Sequence, residues 1–276
     1  MAKCIYCGED VGLLRKFHKE CKSKNDTGKS QIADIAQKAA SFASNLEEFD
    51  TKLKEIAKAS FIDSETQKNL LIEAFEKGVE QALNDDLLSN EEEKAIDAYK
   101  DHFKLKQTDL DNNGAYTKLV QSSVLRDLME GKIETRINVQ GQLPFNLQKS
   151  EKLVWVFQDV EYYEERKRTT YSGGYSGVSV RVAKGLYYRT GGFRGNPIVT
   201  SQTVHVDTGI LGVTDKHIYF TGAAKSFRVP YQKIVSFAPY EDGFGLQRDA
   251  TTAKPQTFLL GDGWFVFNLV TNLAKM

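Results

Sequence analysis

The chain has no cysteine after residue 21, no proline before residue 144 and no apolar run approaching the roughly 18 residues that a membrane-spanning helix requires. Its charge is balanced, because 37 Lys and Arg residues offset 37 Asp and Glu residues. A zero net charge excludes a global field that would draw the chain to nucleic acid or to an anionic membrane. The first residues carry candidate metal ligands and not a signal peptide. These absences predict a soluble, cytoplasmic protein.

All three cysteines lie within the first 21 residues, together with one histidine, in the pattern C-x2-C-x10-H-x2-C. Cys3His is a standard tetrahedral ligand set for zinc, and thiols arranged for a metal suit a reducing compartment. We therefore predict a zinc-knuckle module over residues 1–25. A site closed by four protein ligands leaves no position for substrate, so the zinc is predicted to be structural. The predicted ligands are Cys4, Cys7, His18 and Cys21.

Residues 31–131 have the apolar spacing of amphipathic helices and contain no proline, after a short polar stretch over residues 22–30. Ser89 and Glu92 form a capping-box sequence, which predicts a helix beginning there. An all-α bundle is therefore predicted. Within it, residues 109–114 match the first half of a calcium-binding EF-hand loop, but Val120 occupies the position of its bidentate Glu. We favour an ordinary turn between helices.

The composition after Pro144 changes to Val, Tyr, Phe and Gly, with alternating apolar stretches separated by turn residues. An apolar-faced helix is predicted to close the chain, with Asp262 as its N-cap. The predicted fold class is α+β multidomain: a small knuckle, an all-α bundle and a β-rich barrel over residues 147–276 closed by a C-terminal helix. The predicted strands are 153–157, 178–182, 185–189, 209–214, 217–221, 225–229, 234–240, 245–248 and 256–260.

Two segments of the β region carry a family resemblance. Residues 209–220 (GILGVTDKHIYF) and 227–236 (FRVPYQKIVS) resemble successive strand units of bacterial PH-like and GRAM-like domains. The helical region more loosely resembles the TerB-like helical fold. The combination resembles a bacterial layout of zinc ribbon, TerB-like bundle and PH-like domain. This resemblance implies a scaffold that binds lipid headgroups, peptides or other proteins.

Residues 164–177 are an unusual stretch, in which basic side chains lead into an aromatic, glycine-rich loop between two predicted strands. The predicted loop comprises residues 166–177. Arg and Lys supply charge for a phosphorylated headgroup, while glycine lets backbone amides approach it. The tyrosines could instead stack on bases, and a solvated hairpin tip is the structural alternative. A second loop has similar composition. The candidate binding residues are Arg166, Lys167, Arg168, Tyr171 and Tyr175 in the first loop and Arg189 and Arg194 in the second.

Catalysis has little support in the sequence, and no catalytic residue is predicted. His205 and Asp207 are two residues apart, so a regular strand would place both on one face as an acid/base pair. A surface strand pair without catalytic role is the favoured interpretation.

The sequence as a whole predicts a non-enzymatic cytosolic adaptor that recognises a protein or an anionic lipid through its PH-like domain. The alternative is a nucleic-acid-binding protein that uses the basic loop and the zinc module. The basic residues of that module are Arg15, Lys16, Lys19, Lys22 and Lys24.

Overall fold

The computed structural model describes residues 2–12, 14–41, 45–84, 88–139, 141–171, 181–183, 186–187 and 197–276, with the backbone alone at 167–171, 181–183, 186–187 and 197–200. The chain divides into two compact units, Met1–Arg126 and Asp127–Met276. The first contains a Cys/His knuckle followed by helices. The second contains a curled antiparallel sheet followed by a C-terminal helix. The predicted α+β fold class is confirmed.

Six helices follow the knuckle in the described part of the first unit and its boundary. Their buried apolar side chains form one core, in which Ile32, Leu53, Phe75 and Leu110 are fully inaccessible to solvent. The helices are α1 (Lys19–Ser41), α2 (Leu46–Ala59), α3 (Ser64–Ala82), α4 (Asn90–His102), α5 (Gln107–Leu110) and α6 (Ala115–Met129).

Helix α1 begins at Lys19, so the polar stretch over residues 22–30 is helical. The buried residues of this polar stretch are Asn25 and Gly28, which the spacing of apolar residues does not reveal. The side-chain amide of Asn25 donates from Nδ2 to the Ser60 carbonyl at 2.9 Å and to the Phe61 carbonyl at 3.1 Å. A Cβ added at Gly28 would lie 2.3 Å from Cβ of Ser60, so glycine permits the close approach of α1 to the end of α2.

The start of α4 follows its local sequence signal. Ser89 accepts from the Glu92 amide while the Glu92 carboxylate accepts from the Ser89 amide, which confirms the capping box of α4. Residues 111–114 form the turn between α5, which ends at Leu110, and α6, and Asp111 accepts from the Thr117 amide at 2.9 Å. The favoured reading of this segment as a helix-to-helix turn is confirmed.

The second unit has a seven-stranded sheet in the order β6-β5-β4-β1-β9-β8-β7 and a separate two-stranded sheet, β2-β3. All pairings are antiparallel, and β1 joins the two groups of the large sheet because it pairs with both β4 and β9. The strands are β1 (Leu153–Tyr171), β2 (Arg181–Ala183), β3 (Leu186–Tyr187), β4 (Pro197–Thr214), β5 (His217–Gly222), β6 (Ser226–Pro230), β7 (Ile234–Pro239), β8 (Gly243–Arg248) and β9 (Gln256–Leu259).

Aromatic side chains pack in the core enclosed by this curled sheet. Phe258 stacks on Tyr162 at 5.1 Å and on Phe244 at 4.8 Å between ring centroids. Helix α7 (Gly263–Leu273) packs against β7 and β8, and its Phe265 ring meets Trp155 edge-on. Asp262 accepts from the Phe265 amide at 2.9 Å, which confirms the predicted cap.

The prediction of a loop over residues 166–177 is wrong for residues 166–171. Strand β1 continues to Tyr171 and pairs with β4 as far as Pro197. The first glycine or proline after residue 164 is Gly173, so no residue that disfavours strand pairing interrupts β1 before Tyr171. A side-chain hydrogen bond between Ser201 and Glu165 links the two strands.

None of the helices in the described residues combines the length and apolar character needed to cross a bilayer.

We expect Gly28→Ala to lower the free energy of unfolding of the helical unit. Overpacking against Ser60 costs about 1–3 kcal/mol, and the better helix propensity of alanine offsets about 1 kcal/mol of that cost. Urea denaturation followed by far-UV circular dichroism measures the change. In a Ser60→Gly background the same substitution should no longer destabilise, because the obstructing side chain is gone. Equal destabilisation in both backgrounds would contradict the close packing of α1 on α2.

Candidate metal centre

The first half of the knuckle is a tight turn that holds Cys4 and Cys7. The Gly8 amide donates to the Cys4 carbonyl at 2.9 Å, and Gly8 has a φ of 74°, a conformation that favours glycine. The Cys4 amide donates to the Glu9 carbonyl at 2.7 Å, and Lys3 forms an antiparallel bridge with Asp10. These backbone bonds fix the first two sulfurs close to the chain reversal.

The second half of the centre is built on the start of α1. His18 immediately precedes the helix, and the Lys22 amide donates to the His18 carbonyl at 3.1 Å. One turn of helix therefore places Cys21 beside His18. The Ile5 amide donates to the Lys16 carbonyl at 3.0 Å, which ties the two halves together.

The four predicted ligand atoms converge. All lie within 4.8 Å of one another, with Nδ1 of His18 at 3.4 Å from Sγ of Cys7 and 3.8 Å from Sγ of Cys21. Metal–ligand bonds of about 2.0–2.3 Å in a tetrahedron require ligand separations of this size. Cys4 is buried, while the other three are half-buried. The cluster is therefore close enough to hold a metal ion.

The orientation of His18 also fits a metal ligand. Its Nε2 lies 3.1 Å from the Asp10 carbonyl oxygen, an acceptor, so this nitrogen carries the proton. The lone pair of Nδ1 then points to the sulfurs, and a carbonyl behind the ring is the usual partner of a metal-bound histidine.

The electrostatics of the three thiols differ. Burial opposes ionisation of Cys4, but hydrogen bonds from the backbone amides of Cys7, His18 and Tyr6 outweigh it and lower the pKa to about 6. Burial and the sulfurs of Cys7 and Cys4 raise the pKa of Cys21 to about 11. Because two sulfurs oppose ionisation of the third, a complete set of thiolates requires a cation among them. The donor set therefore suits a bound metal ion.

The structure places the other candidate binding residues only in part. Arg166 lies on β1 and is exposed. Lys167, Arg168 and Tyr171 belong to the same strand. The remaining candidates, Tyr175, Arg189 and Arg194, lie outside the described residues, so whether the two basic segments meet stays a prediction.

His205 and Asp207 do not form a pair. A register shift places His205 opposite Tyr163 and Asp207 opposite Tyr162, two neighbouring residues of β1 whose side chains point to opposite faces. Asp207 is buried and accepts from the amides of Ala224 and Lys225 at 2.7 and 2.8 Å. Burial opposes its charge, but these hydrogen bonds lower its pKa. Asp207 thus holds the turn between β5 and β6.

The Oε1 atom of Glu151 anchors the start of β1 to the turn between β4 and β5. It lies 2.8 Å from Nδ1 of His217 and accepts from Thr214 at 2.5 Å.

The second carboxylate oxygen of Glu151 completes this cluster, which the sequence did not reveal. Oε2 accepts from the Tyr219 hydroxyl and the Gln148 amide, each at 2.7 Å. The side chain is fully buried, yet its hydrogen bonds outweigh burial and lower its pKa to about 2. No local pattern predicts a partner 63 to 68 residues away.

No protein-family description matches this chain, and no curated protein is similar to it at a significant level.

Glu151→Gln should destabilise the sheet unit at neutral pH and much less in acid. The pKa of Glu151 falls from 4.5 to about 2 on folding, so its carboxylate contributes about 3 kcal/mol above pH 5. That contribution is lost as the pH falls through 4.5 towards 2. Urea denaturation at pH 7, 5 and 3 should therefore show a gap between wild type and variant that narrows in acid.

The matched control is Glu241→Gln, which removes an exposed carboxylate of the same unit. It should leave the unfolding free energy unchanged at each pH. A gap for Glu151→Gln that stays constant from pH 7 to pH 3 would mean that the charge of this carboxylate does not stabilise the fold.

Proposed function

We propose that Cys4, Cys7, His18 and Cys21 bind one zinc ion and that this zinc is structural. Three thiolates and one imidazole are a donor set that zinc prefers, and four protein ligands complete its tetrahedral shell. The hydrogen bond between His18 and the Asp10 carbonyl supports this proposal, because it leaves Nδ1 free for the metal. Such an ion would cross-link the turn around Cys4 to the first turn of α1.

Cys21→Ser should abolish tight zinc binding, because it replaces one of the three thiolate ligands with a neutral hydroxyl group. Elemental analysis of purified protein should give one zinc per wild-type chain and close to none for the variant. Ser23→Ala, an exposed change in the same helix, should retain the metal. The fluorescence of buried Trp155 should show that the sheet unit stays folded. Loss of all structure in one cooperative step would contradict independent units.

We propose further that the protein is a non-enzymatic cytosolic adaptor whose sheet unit recognises an anionic lipid headgroup or an acidic protein segment. The observation that carries this proposal is the strand order, a four-stranded group and a three-stranded group joined by β1 and followed by one helix. This order agrees with the layout implied by the resemblance to bacterial PH-like domains. Fold alone does not fix function, so the ligand follows from the surface residues.

The polar side chains inside the sheet unit support a binding role over catalysis. Glu151 and Asp207 each direct both carboxylate oxygens to partners within the fold. The Tyr162 hydroxyl likewise donates to Glu164 at 2.8 Å and accepts from Gln256 at 2.6 Å. Groups committed to internal hydrogen bonds stabilise the fold and are not presented to a substrate.

The proposed ligand contact is the basic segment at residues 166–168 of β1. Residues 166–168 are three consecutive Arg and Lys residues of β1, and this part of β1 pairs with β4. Guanidinium and ammonium groups are the usual partners of phosphate and carboxylate. Arg166 is exposed, as this contact requires.

Reversal of the three charges, in the variant Arg166→Glu/Lys167→Glu/Arg168→Glu, should weaken binding to vesicles that contain 30 per cent phosphatidylserine. Sedimentation with the full chain at about 50 and 200 mM salt should show weaker wild-type binding at the higher salt, because screening reduces attraction between exposed charges. Lys149→Glu/Lys233→Glu/Lys275→Glu, on three exposed bases of the sheet unit, is the control for the same change in net charge. Equal binding by both variants would remove the basic segment from the ligand site.

A further inference from the structure

One surface of the knuckle combines exposed aliphatic side chains with exposed bases. Ile5 is 67 per cent exposed and Leu14 is fully exposed. The Ile5 amide donates to the Lys16 carbonyl at 3.0 Å, so the turn that carries Ile5 lies against the segment that carries Leu14. We call this surface the outer face of the knuckle; it comprises Ile5, Leu14, Arg15, Lys16, Lys19 and Lys22.

The outer face is strongly basic, although the chain as a whole is neutral. Residues 14–24 contain five Lys or Arg residues and a single acidic residue, Glu20. All five bases are exposed. The acidic Asp10 of the knuckle is paired with Lys3 at 3.2 Å. Arg15 and Lys16 thus follow Leu14 directly in the chain, and the backbone of Lys16 is bonded to the turn that carries Ile5.

The ring of Phe17 indicates which kind of ligand this face suits. Phe17 packs on Tyr6 at 6.0 Å between centroids, and Nζ of Lys22 lies 5.4 Å from its ring centre. Both rings are half-buried. Binding to single-stranded nucleic acid relies on free aromatic faces for base stacking, whereas the side chains that project here are aliphatic. Aliphatic side chains surrounded by bases suit the interface of an anionic bilayer.

We propose that the outer face of the knuckle binds anionic membranes, with Ile5 and Leu14 inserted among the acyl chains and the surrounding bases at the headgroups. The complementary charge of the bilayer surface attracts the bases, and burial of the two aliphatic side chains adds to that attraction. This inference deepens the proposed function, because it gives the adaptor a bilayer contact separate from residues 166–168. It depends on different residues and is tested separately.

The test uses the full chain with its metal and vesicles of phosphatidylcholine alone or with 30 per cent phosphatidylserine. Ile5→Ser/Leu14→Ser should lower the partition coefficient about tenfold or more, since two apolar side chains no longer insert. Arg15→Gln/Lys16→Gln/Lys19→Gln should lower it about a hundredfold on the anionic vesicles, at about fivefold for each base. The matched control is Val235→Ser, which removes an apolar side chain 66 per cent exposed in the sheet unit and should change nothing.

A second measurement reports insertion directly. Leu14→Trp places an indole at a fully exposed position, where the fold tolerates it. Its emission should shift to the blue on anionic vesicles, and lipids brominated on their acyl chains should quench it. Val235→Trp should show neither effect.

The outcomes separate this inference from the proposed function. Unchanged partitioning of Ile5→Ser/Leu14→Ser, with no blue shift for Leu14→Trp, overturns the inference whatever residues 166–168 do. Loss of binding in the knuckle variants alone supports it and removes residues 166–168 as a lipid contact. If the knuckle bases prove necessary for binding to an oligothymidylate but not to vesicles, the outer face is a nucleic-acid surface and the inference is wrong.

Discussion

The sheet unit depends on the position of β1. This strand pairs with β4 from Leu153 to Tyr171 and, over Glu161–Glu164, also with β9. Without the second pairing, the four-stranded and three-stranded groups would be two separate sheets among the described residues. Buried carboxylates reinforce the arrangement, because Glu151 fixes the start of β1 and Asp207 fixes the turn that follows β5. Each carboxylate replaces water with several internal donors, which is the condition for burying charge.

The knuckle also requires compensation of negative charge, which here belongs to thiolates and not to carboxylates. Its three sulfurs converge on Nδ1 of His18, and backbone amides and one carbonyl hold the ligands in place. A bound cation would stabilise the negative charge of the thiolates, as hydrogen-bond donors stabilise the carboxylates of Glu151 and Asp207. The exposed side chains of Ile5 and Leu14 do not contribute to the ligand cluster, so they are available for contacts with other molecules.

Features encoded by neighbouring residues were predictable from the sequence, and those that depend on distant partners were not. The convergence of four ligands and the capping box of α4 follow from spacings of a few residues. Apolar spacing did not reveal the early start of α1, because the first part of the helix buries Asn25 and Gly28, whose partner Ser60 lies at the end of α2. The pairing of His205 with Asp207 was wrong because one extra residue in β4 reverses the face of the strand.

Helix α1 has a consequence for the helical unit as a whole. The same uninterrupted helix carries Cys21 in its first turn and Ile32 in the centre of the core. Any ion that binds the folded knuckle and not the unfolded chain therefore adds to the stability of this unit by mass action. Above the dissociation constant, each tenfold rise in free metal contributes about 1.4 kcal/mol. The persistence of the helical unit in the cell would then depend on metal supply as well as on temperature.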